Sequence, residues 1–289
     1  MCENGKRLCL SLCLLVPVFF LTAANIFAQS DLDDLKNKIT NGSTEDKRNA
    51  LIAIRTIRTE DASRIAIPAL SDRNDLVRAA APSSIVFLPK PEAAKLLIPL
   101  LNDKAEFVRS EAAFALGEVG DVSAVPPLVQ KLQKDVVAIR SVAAAAIGKI
   151  GDASAVDALN AILKKTPQES DENLRRSVAR SIGQIAQLIR TGNRRVDTPQ
   201  NFLPSKFKDN YSAASSVVQS FPVFHNSLVI LTNVLSNRKE SDDVRREAAF
   251  ALGAIGDASA QKVLSDHLSS PDNFLAEICK EALLNIEQK

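Results

Sequence analysis

The chain has 289 residues, of which 46% are hydrophobic, 24% charged and 4% aromatic, and its formal net charge is +2. A balance this close to neutral argues against a nucleic-acid or membrane-surface role driven by total charge. The length suffices to bury a core without disulfide support.

At the N-terminus, Lys6 and Arg7 precede an apolar run from Leu8 to Phe20 that closes at Ile26-Phe27-Ala28. This pattern predicts a signal peptide over residues 1–28, cleaved after Ala28, and therefore a periplasmic or secreted protein. The competing reading is an uncleaved membrane anchor, because Leu8 to Ala28 spans 21 residues and about 20 cross a bilayer. Ser11, Pro17, Thr22 and Asn25 make it a poor one. A lipid anchor needs a cysteine just beyond the apolar run, whereas Cys9 and Cys13 lie inside it. Cys2, Cys9 and Cys13 leave with the segment, so the remaining chain holds only Cys279 and no intrachain disulfide is possible. What is left carries 34 basic and 33 acidic residues, a net charge of +1. Membrane contact is expected only through that segment if it stays uncleaved.

From residue 29 onward the chain repeats itself. Taking Val244 as position zero, Ala248, Ala251, Leu252 and Ile255 follow at plus four, seven, eight and eleven, the spacing of one apolar stripe on a helix. The same slots begin at Asp46, Val77, Val108, Ile139, Leu174 and Leu275. Most steps are 31 residues; the step from 139 is 35, and the step from 174 to 244 is 70, which reads as two periods with an insertion at about 190–221. A fixed period in this range means one supersecondary unit stacked on its copies.

After the clear copies come Gly120-Asp121, Gly151-Asp152 and Gly256-Asp257. Glycine ends a helix in the left-handed conformation at no steric cost, and aspartate then accepts the free N–H groups of the next, worth about 1 kcal/mol per cap. The second helix runs through AVPPLVQKL, AVDALNAIL and AQKVLSDHL, with Pro126 and Pro127 early enough for a first turn. Each repeat is predicted to be an antiparallel helix pair.

The run Val-Arg-x-x-Ala-Ala-x-Ala-Leu-Gly-x-Ile-Gly-Asp resembles the short HEAT-like repeat of the type found in phycobilin lyases, over residues 31–289 outside the insertion. The resemblance implies an all-α, right-handed α-α superhelical solenoid of about seven helix pairs. It also implies a ladder in which an Asp before the helix bonds the Arg that follows its first apolar residue. Asp72 with Arg78 and Asp103 with Arg109 show that spacing, while Arg140, Arg175 and Arg245 have Lys134, Glu169 and Lys239 at the acid's offset. Lys47 replaces the Arg in the first repeat and Ala276 in the last, as end caps would.

On the Val-Arg helix the plus-six position points away from the buried stripe, toward what the resemblance implies is a concave surface. That row reads Ile52, Ser83, Phe114, Ala145, Arg180, Phe250, Glu281. Phe114, Arg180 and Phe250 are candidate partner anchors; alternatively the two phenylalanines fold sideways and complete the core. The insertion holds Arg190, Arg194, Arg195, Lys206 and Lys208 with Phe202, Phe207 and Tyr211. Basic residues among aromatics suit contact with a ligand or partner, and a mobile surface loop is the alternative.

Nothing points to catalysis. His225 and His267 fall on different repeats without ligand spacing, which speaks against a metal. Cys279 sits on a buried stripe as an inert thiol. No Gly-rich phosphate loop or hydrolase nucleophile setting occurs, so no cofactor is expected. The sequence thus predicts an exported, non-catalytic scaffold or binding protein whose partner is another protein or a cell-envelope component, with no nucleic acid. The alternatives are a phycobilin-lyase-like, enzyme-associated factor and a structural or adhesive envelope protein.

Overall fold

Helix caps punctuate the chain as the repeated Gly-Asp corners require. Gly120, Gly151 and Gly256 adopt φ of 68°, 83° and 73°, and their N–H groups donate to Leu116, Ile147 and Leu252 carbonyls four residues back. Asp121, Asp152 and Asp257 then accept from the N–H groups of Ser123, Ser154 and Ser259 at 2.8–3.0 Å. Each aspartate opens a 3-10 turn of three residues before the second helix proper begins.

The computed structural model describes residues 31–192 and 216–287. Among them are fourteen α-helices and no strand. The helices fall into two packing units, Met1–Leu88 and Pro89–Lys289.

In the first unit, α1 occupies residues 31–41. Next come α2 (Thr44–Ile57), α3 (Glu60–Ala66) and α4 (Asp75–Ala80). Ser43 and Asp46 form a reciprocal capping box at the start of α2. Helix α2 packs on α3, and Leu51 and Ile54 of the one and Ala62 and Ala66 of the other are buried. The repeat from Val77 does not run as one helix. Pro82 withholds an N–H, so α4 stops at Ala80 and a 3-10 turn follows. Its slots are nevertheless filled, because Val77, Ala81, Ser84, Ile85 and Leu88 are all buried, and Ser84 Oγ donates to the Leu51 carbonyl at 2.9 Å.

The second unit contains α5 (Lys90–Leu97), α6 (Glu106–Val119), α7 (Val125–Lys134), α8 (Val137–Ile150) and α9 (Val156–Leu163), then α10 (Glu172–Thr191), α11 (Phe224–Ser236), α12 (Asp242–Ile255), α13 (Gln261–Ser265) and α14 (Asn273–Glu287). First helices pack in succession, α6 on α8 on α10 on α12 on α14. Each second helix packs against the first helix of the following repeat, α7 on α8, α9 on α10, α11 on α12 and α13 on α14. The spacing of the first helices depends on the glycine of Leu-Gly. A Cβ added at Gly117 would lie 2.9 Å from Ala146 Cα, and one at Gly253 would lie 2.6 Å from Ala282 Cα. Leu284 takes this slot in α14, where it is exposed beside Glu277, Lys280 and Glu281.

Two sequence expectations change here. Among the described residues the 70-residue step holds no extra repeat, since α10 packs directly on α12 and α11 is the second helix of the α10 repeat. The insertion therefore lies inside one repeat, and the final repeat contributes a single helix among the described residues.

The repeated arginines also reach backbone carbonyls, beyond the Asp-Arg spacing the sequence suggests. Arg78 donates to the Asp72 and Arg73 carbonyls, and Arg109 to the Asp103 and Lys104 carbonyls, while the Asp72 and Asp103 carboxylates add charge attraction to the same guanidiniums. Arg140 reaches the Leu132 carbonyl, Arg245 the Leu235 carbonyl, and Arg175 the carbonyls of Ile162, Leu163 and Lys165. In each case the guanidinium satisfies orphan carbonyls at the end of the preceding second helix, where positive charge also complements the helix dipole. A carboxylate partner comes from the end of the arginine's own repeat: Asp135 for Arg109, at 2.8 and 3.0 Å, and Glu240 for Arg175. Lys47 pairs with Asp72 in the same way at 2.6 Å. The brace ties the two ends of a repeat to the repeat before it.

Candidate interaction face

With the apolar stripes turned inward and the glycines spent on close approach, each first helix of the second unit leaves one side outward. On α6 that side carries Phe107, Glu111, Phe114 and Glu118. On α8 it carries Ala138, Ser141, Val142, Ala145 and Lys149. On α10 come Arg176 and Arg180, on α12 Asp243, Arg246, Glu247 and Phe250, and on α14 Phe274 and Glu281.

The three residues singled out as anchors part company. Phe114 is 47% exposed, and the Lys149 ammonium lies 4.5 Å from its ring centre while pairing with Glu118. Phe250 instead leans on α10, where its ring abuts Gly183, so it completes the packing between first helices. Arg180 is held by Glu247 of α12, with Nε at 3.0 Å, and Arg176 is held by Asp243 at 3.1 Å. Both guanidiniums thus cross-link α10 to α12. Of the rest of the row, Ile52 is exposed, while Ser83, Ala145 and Glu281 are half-buried.

Two further aromatics belong to this side. Phe107, one residue before position zero, is 43% exposed and two helical turns from Phe114 on the same side of α6. Phe274 occupies the same slot on α14, beneath the Arg246 guanidinium at 5.2 Å. The signal was present in the sequence: the minus-one slot lies about 20° from the plus-six slot around a helix, and it reads Glu45, Leu76, Phe107, Ala138, Asn173, Asp243, Phe274.

The insertion's candidates separate as well. Arg190 lies in the last turn of α10, where its guanidinium donates to the Gly253, Ala254 and Asn285 carbonyls and joins the ends of α12 and α14. Arg194, Arg195, Lys206, Lys208, Phe202, Phe207 and Tyr211 lie outside the described residues, as does the 1–28 segment. Where the described chain resumes, Ser216 bonds Asp257 and the Val217 N–H donates to the Ile255 carbonyl, so the insertion returns against the end of α12.

Chemistry is sparse on the described residues. No group of three or more His, Cys, Asp or Glu side chains is placed to hold a metal, and no helix is long and apolar enough to cross a membrane. His267 Nδ1 bonds the Val263 carbonyl at 2.8 Å. Burial pushes the Cys279 thiol up to about 12, so it stays protonated and unreactive at neutral pH.

Comparison with known proteins agrees with this architecture. The model for HEAT repeats matches residues 32–116 and 100–171, and the model for the PBS lyase HEAT-like repeat matches 244–270. No curated protein matches the chain. Among solved structures, an engineered protein superposes with a TM-score of 0.52 at 19% identity, over 88% of this chain and 68% of that one. The complex of CpcE and CpcF of phycocyanin lyase from Nostoc sp. aligns at a TM-score of 0.47 and 20% identity, over 89% and 88% of the two chains. A designed armadillo repeat protein in complex with a (KR)4 peptide aligns at 0.45 and 15%, over 88% and 99%. The fold likeness rests on the first of these. Paired helices, Leu-Gly contacts, Gly-Asp corners and two matching repeat models make this chain a HEAT-repeat protein, an all-helical repeat fold suited to binding other proteins.

Proposed function

We propose that the protein is an exported, non-catalytic scaffold that holds another protein on the outward side of its first helices, centred on α6 and α8. The observation that carries this reading is Phe107 and Phe114, two large aromatics half open to water on one helix side and flanked by the small residues of α8. Exposed aromatics grouped at one place mark interaction surfaces more often than scattered single residues do. Export is inferred from the charged and apolar pattern of residues 1–28. A non-catalytic role fits the protonated Cys279 and the commitment of Arg176, Arg180 and Arg190 to neighbouring helices.

A second reading keeps the lyase-associated role, because the PBS lyase HEAT-like repeat model matches 244–270. Cell fractionation with N-terminal sequencing separates the two, export predicting a mature chain that begins at Gln29. Recovery of intact Met1 in the cytoplasm favours the lyase-like role. For the face itself, a photo-crosslinking amino acid placed at Phe114 in living cells is expected to trap a discrete protein, and the same group at exposed Val229 of α11 is not. Equal labelling from both positions overturns the assignment.

A further inference from the structure

Resting on that reading of the first-helix side, we propose that the α6–α8 stretch receives a single amphipathic helix of a partner protein. Its apolar stripe would lie on Phe107, Phe114, Val142 and Ala145, and a basic flank would lie along Glu111.

Geometry selects a helix. The described residues contain no strand, so no sheet edge offers backbone groups to an extended peptide, and recognition falls to side chains in a valley. Phe107 and Phe114 stand two turns apart, about 10.5 Å along α6, the repeat of i and i+7 anchors on an incoming helix. Across from them α8 presents Ala138, Ser141, Val142 and Ala145, whose short side chains let another helix reach ordinary interaxial distances of about 8–10 Å.

Charge selects the flank. The outward residues of α8 beside this valley are uncharged until Lys149, whose ammonium lies over the Phe114 ring and is offset by its pairing with Glu118. On the next helix, Arg176 and Arg180 are committed to Asp243 and Glu247. Glu111 is exposed, lies beside the Phe107–Phe114 side, and takes no ion pair among the described residues. The local field that an incoming helix meets is therefore negative, which favours lysine or arginine at its edge and disfavours glutamate.

The test titrates the full-length protein with two labelled 18-residue helical peptides that share one leucine stripe, the first with lysine and the second with glutamate elsewhere, read by fluorescence anisotropy. The lysine peptide is expected to bind at least tenfold more tightly than the glutamate peptide. Phe107→Ser with Phe114→Ser should weaken it about tenfold or more, and Glu111→Lys about threefold to tenfold with a shallower salt dependence. Phe274→Ser on α14 should leave it unchanged. Melting curves confirm that each variant is folded, and Ala145→Lys supplies an independent block that adds bulk and repels the lysine peptide without removing packing. Equal binding of both peptides, or binding indifferent to these variants, overturns the inference. If Phe114 cross-links a partner in cells while the peptides ignore the site, the interaction-face reading survives and the basic-helix inference alone fails. Self-association of the protein that disappears in the double serine variant assigns the face to a second copy, and that result overturns it too.

Discussion

Replacing Glu240 by Gln tests the least exposed ion pair among the described residues. Its carboxylate and the Arg175 guanidinium retain 2% and 3% of their side-chain exposure. Removing one partner of such a pair leaves an uncompensated buried charge and costs about 3–5 kcal/mol. Arg175 keeps three carbonyl acceptors, Ile162, Leu163 and Lys165, at 2.9–3.2 Å, so Glu240→Gln should fall near the lower end, about 3 kcal/mol. Arg175→Met strands the carboxylate and the carbonyls together and should reach about 5 kcal/mol. Combining Arg175→Met with Glu240→Leu removes the stranded charge and should be more stable than Arg175→Met alone. The exposed pair Arg176–Asp243, 42% open on both sides, serves as the contrast: Asp243→Asn should cost less than about 1 kcal/mol. Urea denaturation of the four variants, followed by circular dichroism, gives these stability differences. For a unit of this size about 3 kcal/mol lowers Tm by about 6–12 °C. A Glu240→Gln protein within 1 kcal/mol of the parent would show that water reaches the pair and would refute the brace.

Other outcomes follow from the same contacts. Gly253→Val should cost about 2–4 kcal/mol, because its Cβ meets the Ala282 backbone, and loss of cooperativity confined to the C-terminal helices in hydrogen exchange would locate the damage; an unchanged melting curve would contradict it. Burial alone raises an acid, yet the Arg109 guanidinium and the Val136 N–H hold the Asp135 carboxyl below its ordinary value, as Arg246 and the Leu275 N–H do for Asp272. Depressed carboxylates contribute stability that is complete above their unfolded value near 4 and is lost as pH falls through the folded value. The urea midpoint should therefore hold from pH 7 to about 5 and then drop, less steeply in Asp135→Asn; a level profile down to pH 3 would count against these pairs. Cys279 should resist a thiol reagent at pH 8 until denaturant is added, and rapid labelling of the native protein would show that its site opens.

The corners were the most legible part of the chain. Gly-Asp encodes its own local geometry, a left-handed residue followed by a side-chain acceptor, and needs no distant partner. The Val77 repeat was less so, since its stripe is intact while Pro82 interrupts the helix that should carry it. The candidate face was legible only as a row of positions. Phe114 and Phe250 share one slot, yet one faces water and the other leans on Gly183. Which occurs depends on the residues of the adjoining helix, and the period alone does not carry that information.

Local physics therefore set the repeat unit. Apolar spacing, glycine ends and aspartate starts dictate short paired helices wherever they occur. Tertiary structure decided the long-range partners: Arg175 found Glu240 beyond the insertion, Arg180 found Glu247, and the 70-residue step closed into one repeat. Those pairings depend on which helices touch, a distance in space that the distance along the chain does not fix.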